Sequence, residues 1–97
     1  MSDDLHDERA VEERNKRLKM KERDRLGALG GIVSEPGGRA WIHNLLSITH
    51  VFDSSFSNNS HAMAFREGER QVGLRILADM MAAAPEQWVP MMTEAQK

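Results

Sequence analysis

The chain has no cysteine and no tyrosine, only three prolines among 97 residues, and five aromatic side chains if histidine is set aside. The missing cysteine excludes a disulfide framework, a thiolate metal site and a cysteine nucleophile. No apolar run approaches the roughly 20 residues a membrane-spanning helix needs. Met1–Arg9 is acidic and has no apolar stretch, so no secretory leader is expected there. Charge of one sign is also lacking: 13 basic and 15 acidic side chains leave a formal charge of −2. Neither a global cationic field for nucleic acid nor a strongly acidic one is present. At this length the chain is one domain at most. An active site enclosed between two domains is excluded, and the core must be small.

What is present is unevenly distributed. Met1–Leu26 holds 16 of the 28 charged side chains, and they are sorted. Residues 1–13 carry six acids against Arg9; residues 14–26 carry seven bases against Glu22 and Asp24. Acids toward a helix N-terminus and bases toward its C-terminus complement the helix dipole. Glu12–Lys16, Glu13–Arg17 and Arg9–Glu13 sit at i,i+4 spacing, and Ser2 or Asp3 can cap the start. A helix over about 4–26 is expected. Its apolar content is thin: Val11, Leu18 and Leu26 make one narrow seam. Such a helix projects, lies on a partner, or orders on binding. Residues 1–26 therefore read as a charged helical arm and 27–97 as a small helical domain.

Gly27, Gly30 and Gly31 are expected to interrupt the first helix. Ser34-Glu35-Pro36-Gly37-Gly38 is clear punctuation, with Ser34 as an N-cap and Pro36 in a first turn. A helix follows over about 36–50. Trp41, Leu45, Ile48 and Phe52 recur at helical spacing and are expected to face the core, widened by Ile42, Leu46 and Val51. Phe52–Ser60 is turn-rich, and Phe52 and Phe56 are expected to tuck it onto the core. Asn59 or Ser60 caps a further helix over about 61–83, with Ala62, Phe65, Val72, Ile76 and Met80 as its stripe. Gly68 and Gly73 within it suggest close helix crossings. Pro85 opens a short last helix that Pro90 should shorten or kink. No period-two run supports a sheet. The expected fold is all-α: a small bundle of three to four helices with a long charged N-terminal helix.

The candidates for chemistry are weak. His43 and His50 lie two turns apart, roughly 10 Å, too far to ligate one metal directly. Glu67 with Arg70, and Arg66 with Glu69, sit at i,i+3 and read as structural ion pairs rather than catalytic groups. Glu35–Arg39 resembles an anion cradle at a helix start but lacks the lysine-threonine ending and preceding strand of a nucleotide-binding loop. No catalytic residue, cofactor or metal is expected. Arg14, Lys16, Arg17, Lys19 and Lys21 form a basic stretch able to neutralise phosphates, yet it carries no aromatic residue for stacking. Trp88, Val89, Met91 and Met92, with Met80 and Met81, make a soft apolar set suited either to the core or to a partner.

One further signal comes from residue order: Gly38-Arg39-Ala40-Trp41, Leu45-Leu46, Val51-Phe52, Ser55-Phe56, and above all Phe65-Arg66-Glu67-Gly68-Glu69-Arg70-Gln71-Val72-Gly73-Leu74, closed by Pro85-Glu86, Met91-Met92 and Glu94. Across about 34–95 this order resembles a family of small helical proteins from tailed bacteriophages of the Bordetella-phage type. The chain departs from it at Pro90, where the family continues a helix, and the arm lies outside the match. The resemblance implies a virion or assembly component, present in the host cytoplasm before assembly, with no enzymatic activity. Its partners would be other phage structural proteins at the head, the portal or neck, or among the ejected proteins, in an oligomeric assembly. On that reading Trp41, Phe65, Arg66, Glu67, Gly68, Arg70 and Gly73 hold the helices together. Arg14, Lys16, Arg17, Lys19, Lys21, Trp88, Met91 and Met92 are the candidate partner contacts. A nucleic-acid-binding accessory for packaging or delivery, using Arg14–Arg25, is the alternative.

Overall fold

A computed structural model describes residues 2–97, with side chains from His6 onward. Four α-helices follow in order: α1 (Ser2–Val33), α2 (Pro36–Ile48), α3 (Ser60–Ala83) and α4 (Trp88–Ala95), the last preceded by a 3₁₀ turn at Pro85–Gln87. The described residues form no strand, and the fold is all-α as expected.

The first difference from the sequence reading is the length of α1. It does not stop near residue 26 but runs on through Gly27, Gly30 and Gly31 to Val33. Each glycine costs a helix about 1 kcal/mol relative to alanine. Here the cost is offset because Leu29 packs on the core and Val33 is wholly buried. Gly30 sits where α1 crosses the end of α3; a Cβ there would lie 3.9 Å from the carbonyl oxygen of Ala83. The helix thus bridges the expected boundary between arm and domain. The expected caps at Ser2 or Asp3 involve side chains outside the described set.

A tight turn at Ser34–Glu35 reverses the chain into α2. Ser34 does not cap α2; its hydroxyl donates back to the Gly31 carbonyl at 2.6 Å, closing α1. Glu35 holds the N-cap position without a side-chain cap bond, and Pro36 occupies the first turn. There the missing N–H has no intrahelical partner to lose. Gly38 is needed for the close approach of the two helices, because a Cβ would collide with the backbone carbonyl of Ile32.

The end of α2 is set by His50, at φ 65°. Its N–H reaches the Ser47 carbonyl at 3.1 Å, and the Val51 N–H reaches the Leu46 carbonyl at 3.0 Å. This pair of bonds is a Schellman closure, which satisfies the last carbonyls of the helix. Val51 then packs onto the core beside Leu46, as the motif favours. α3 starts at Asn59, whose side-chain oxygen accepts from the backbone N–H of His61 (2.9 Å) and Ala62 (3.1 Å). Pro90 does not interrupt α4, which runs from Trp88 to Ala95. It is the third residue of the helix, within the turn whose N–H groups are unpaired in any helix.

The core is small: Val33, Ile42, Leu46, Met80, Ala84 and Met91, with Leu29, Leu45, Val51, Ile76, Leu77 and Trp88 packed around it. Every α-helix contributes to it. The Cα trace spans 61 × 38 × 15 Å, with a radius of gyration of 18.8 Å. A compact domain of this length would have a radius near 12–13 Å. The protein is therefore a thin slab, about two helix layers deep, with a projecting rod. A slab covers one side of each helix at most, and this decides which apolar residues remain in solvent.

Candidate interaction surface

Arg39 fixes the relative positions of three helices. It projects from the first turns of α2 and is only 9% exposed. Its Nε and Nη2 donate to the two carboxylate oxygens of Glu94 on α4, at 2.9 and 2.6 Å. Its Nη1 donates to the Val33 carbonyl at the end of α1 and to Gln87 Oε1 in the 3₁₀ turn, both at 3.1 Å. A forked guanidinium suits this task because two parallel bonds set direction as well as distance. The hydrogen bond from Arg39 holds the Glu94 carboxyl below the usual carboxylate range. The anion-cradle reading of Glu35–Arg39 fails for the same reason: the Arg39 guanidinium is already bound by a carboxylate from its own chain.

The face of α2 that packs inward is Arg39, Ile42 and Leu46. This corrects the expectation for Trp41, Leu45, Ile48 and Phe52. Leu45 touches the core, but Trp41 is 59% exposed and Ile48 is also exposed. The helix carries two apolar stripes, and the one containing a charged residue is the buried one. Burial of Arg39 depends on Glu94, 55 residues away, so local periodicity could not reveal it.

α3 differs in the same way. Gly73 and Met80 are buried and lead to Ala84, with Ile76 and Leu77 packed beside them. Phe65 does not clasp another helix: it is 71% exposed, as is Val72 to a lesser degree. Gly73 does mark a close crossing, since a Cβ there would strike Thr49 and Val51. Gly68 marks none; a Cβ there would meet nothing within 4 Å. Phe65, Gly68 and Val72 share a helix face, so α3 presents solvent with two large apolar groups on either side of an open notch.

The charged residues of this segment tie α3 to its surroundings. Arg70 pairs with Glu67 at 3.6 Å, as expected. The neighbouring Ser55 hydroxyl, with further help from Gln71 and Arg70, lowers the Glu67 carboxyl from its ordinary range. The expected Arg66–Glu69 pair is replaced. Glu69 instead faces His50 Nε2 at 3.4 Å, while Asp53 lies 3.7 Å from His50 Nδ1. Arg66 is exposed. His43 stacks on Phe52, with ring centroids 5.2 Å apart, and Phe52 leans on Trp88 at 6.3 Å. That contact anchors the near end of the loop. Phe56 does not join it and stands 71% exposed.

The candidate contacts at the C-terminus also separate. Met91 is 1% exposed and belongs to the core, so it is unavailable to a partner. Trp88 and Met92 are half-buried, and Val89 is exposed. On α1, Arg14, Lys16, Arg17, Lys19 and Lys21 are all exposed. The ion pairs α1 makes among the described residues are Arg25's, to Glu22 (3.7 Å) and to Asp79 of α3 (2.5 Å). The Arg25 hydrogen bond, seconded by Arg75, depresses the Asp79 carboxyl. Arg25 is therefore the point where the rod leaves the slab, beside an open groove of about 580 Å³ lined by Lys19, Glu22, Leu26, Gly30 and Ala83.

The geometry comprises an interhelical arginine node, exposed apolar faces on α2 and α3, and a charged rod. The family model of the Bbp19-like phage proteins matches residues 31–93, about two-thirds of the chain. The protein belongs to that family. No curated protein and no solved structure matches it. The matched stretch holds the turn into α2, the arginine node on α2, the Phe65–Leu74 segment and most of α4. The rod up to Gly30 precedes it. As a Bbp19-like phage protein the chain is phage-associated, as the residue order implied.

Proposed function

We propose that this Bbp19-like protein is a virion-associated assembly component that acts through helix-mediated protein contacts and catalyses no reaction. One observation carries the reading. A chain whose core contains six residues leaves Trp41, Ile48, Phe65, Val72 and Val89 more than half exposed. Scattered exposed apolar residues are ordinary, but large ones repeated along the same faces of two helices are what an assembly surface offers a partner. Tryptophan and phenylalanine are the residue types that bury the most area per contact. The Arg39 node supports the same reading, since it holds those faces on a rigid frame.

Mass spectrometry of purified particles tests this directly. The protein is expected among the particle proteins at a fixed ratio to the portal or capsid subunit. Its absence from particles, with presence in infected cells, would refute the virion role.

A further inference from the structure

The rod is the largest feature that the arginine node and the apolar faces do not use. From His6 to Arg25 every residue of α1 is exposed, a stretch of roughly 28 Å at 1.5 Å per residue. Among the described residues, the ion pair that ties it to the slab is Arg25's, to Asp79. A helix of this length with no packed face is marginal alone in water. Its apolar side chains on one face, Val11 and Leu18, are both at least half exposed and lie two turns apart. They continue the face that, further along, lines the groove with Leu26 and packs Leu29 and Val33 on the core. Asp7, Arg14 and Lys21 flank that seam at seven-residue spacing, so they lie on one side of it.

We propose that the rod pairs antiparallel with the rod of a second copy of this chain. The charge order selects both the partner and the direction. Residues 1–13 are net acidic and 14–26 net basic, so two copies laid parallel would set acid on acid and base on base. Laid antiparallel about a point between Arg14 and Asn15, each acidic half covers the other's basic half. Val11 then comes level with Leu18 of the second copy and Glu8 with Lys21, while Asp7 falls level with Glu22, the one like-charged match in this register. Glu12 and Glu13 come level with Arg17 and Lys16. Like charges opposed along a seam are a recognised device against the wrong alignment, and opposed unlike charges favour the right one. Arg14 comes level with Asn15 of the second copy at the midpoint, where the Asn15 side-chain amide can accept from it. With two apolar contacts per copy, the pairing is weak and strongly dependent on ionic strength. It deepens the assembly reading by naming one partner; the particle measurement and the test below fail independently.

The test uses the full chain. Sedimentation velocity at about 0.1 M salt, where charges interact over roughly 10 Å, should show a dimer that dissociates at about 1 M, where they interact over roughly 3 Å. A variant carrying Glu8→Lys, Glu12→Lys and Glu13→Lys should be monomeric, as should one carrying Lys16→Glu, Lys19→Glu and Lys21→Glu. All six side chains are exposed and none of them belongs to the core, so both variants should keep wild-type helix content. Mixing the two should restore a dimer. Direction is read from cross-linking, because the chain has no native cysteine. Asn15→Cys should form an intermolecular disulfide readily, and Glu8→Cys should not. A monomeric wild type at low salt, dimers that survive both charge reversals, a mixture that stays monomeric, or equal cross-linking at both positions would each overturn the proposal.

Discussion

Gly68 and Gly73 lie five residues apart in one helix, and the structure assigns them opposite responses to the same change. Replacing either with alanine removes backbone freedom from the unfolded chain and raises helix propensity, which stabilises by about 0.5–1 kcal/mol where the new methyl group has room. At Gly68 it has room, since nothing lies within 4 Å of the added Cβ. At Gly73 the Cβ would come 2.5 Å from Val51 Cγ2 and 2.9 Å from Thr49 Cβ, and closer still to Thr49 Oγ1. Neither neighbour can retreat cheaply. The Thr49 hydroxyl is tied to the Leu45 carbonyl at 2.6 Å, and Val51 is held by the bond that closes α2. Overpacking of this kind costs roughly 1–3 kcal/mol, and the anchored neighbours place it in the upper half. After the propensity gain, Gly73→Ala should destabilise by about 1–2 kcal/mol.

For a domain of this size, 1 kcal/mol moves the midpoint of thermal unfolding by roughly 4–8 °C. Gly68→Ala should therefore melt a few degrees above the wild type, and Gly73→Ala roughly 4–16 °C below it. Circular dichroism at one fixed protomer concentration is the appropriate assay, because any self-association would make the midpoint concentration-dependent. If Gly73→Ala melts at or above the wild type, α3 does not cross the end of α2 where the structure puts it. If Gly68→Ala melts well below, the face bearing Phe65 is packed and not free.

Three further outcomes follow from the described geometry. Glu94 has a folded-state pKa depressed by Arg39, so the node's contribution is present above the ordinary carboxylate range and is lost as pH falls through the depressed value. Urea midpoints of wild type and Glu94→Gln should thus differ at neutral pH and converge in acid; a constant gap would contradict an ionic node. Phe65→Ser and Val72→Ser should each change stability by no more than about 0.5 kcal/mol, as exposed substitutions do, yet lower incorporation into particles; loss of folding would return both residues to the core. Titrated against duplex DNA over a salt series, the protein should bind weakly or not at all near physiological salt, because acids share the rod with Arg14–Lys21; micromolar affinity with a steep salt slope would favour the nucleic-acid role instead.

The elements were legible in the sequence because their boundaries are written in local chemistry. Pro36, Asn59 and Pro85 mark starts that the structure places within a residue or two. The loop Phe52–Ser60 contains the residue types that turns require. The end of α1 was not legible. Three glycines signal a stop, but what continues the helix is the docking of Leu29 and Val33, a tertiary contribution that propensity does not contain. Pro90 misled for a related reason: it disrupts a helix interior, yet it falls in a first turn whose start depends on the preceding 3₁₀ turn.

The larger difference concerns which faces are covered. Helical spacing reports that a face is apolar; it does not report whether the cover comes from the same chain. Trp41–Ile48 and Phe65–Val72 have a periodicity indistinguishable from that of core residues, and in a thicker bundle they would be core. Here the slab is about two helices deep, and each of α2 and α3 already spends its other face on the shared core. The choice between faces was made by Arg39 and Gly73, a charge and a residue without a side chain, which contribute nothing to an apolar periodicity. Their partners, Glu94, Thr49 and Val51, come from other parts of the chain. Under the proposed assembly role, what local spacing took for a surplus of core residues is a core divided between this protein and its partners. On that account the stripes on α2 and α3 should become buried when the particle forms.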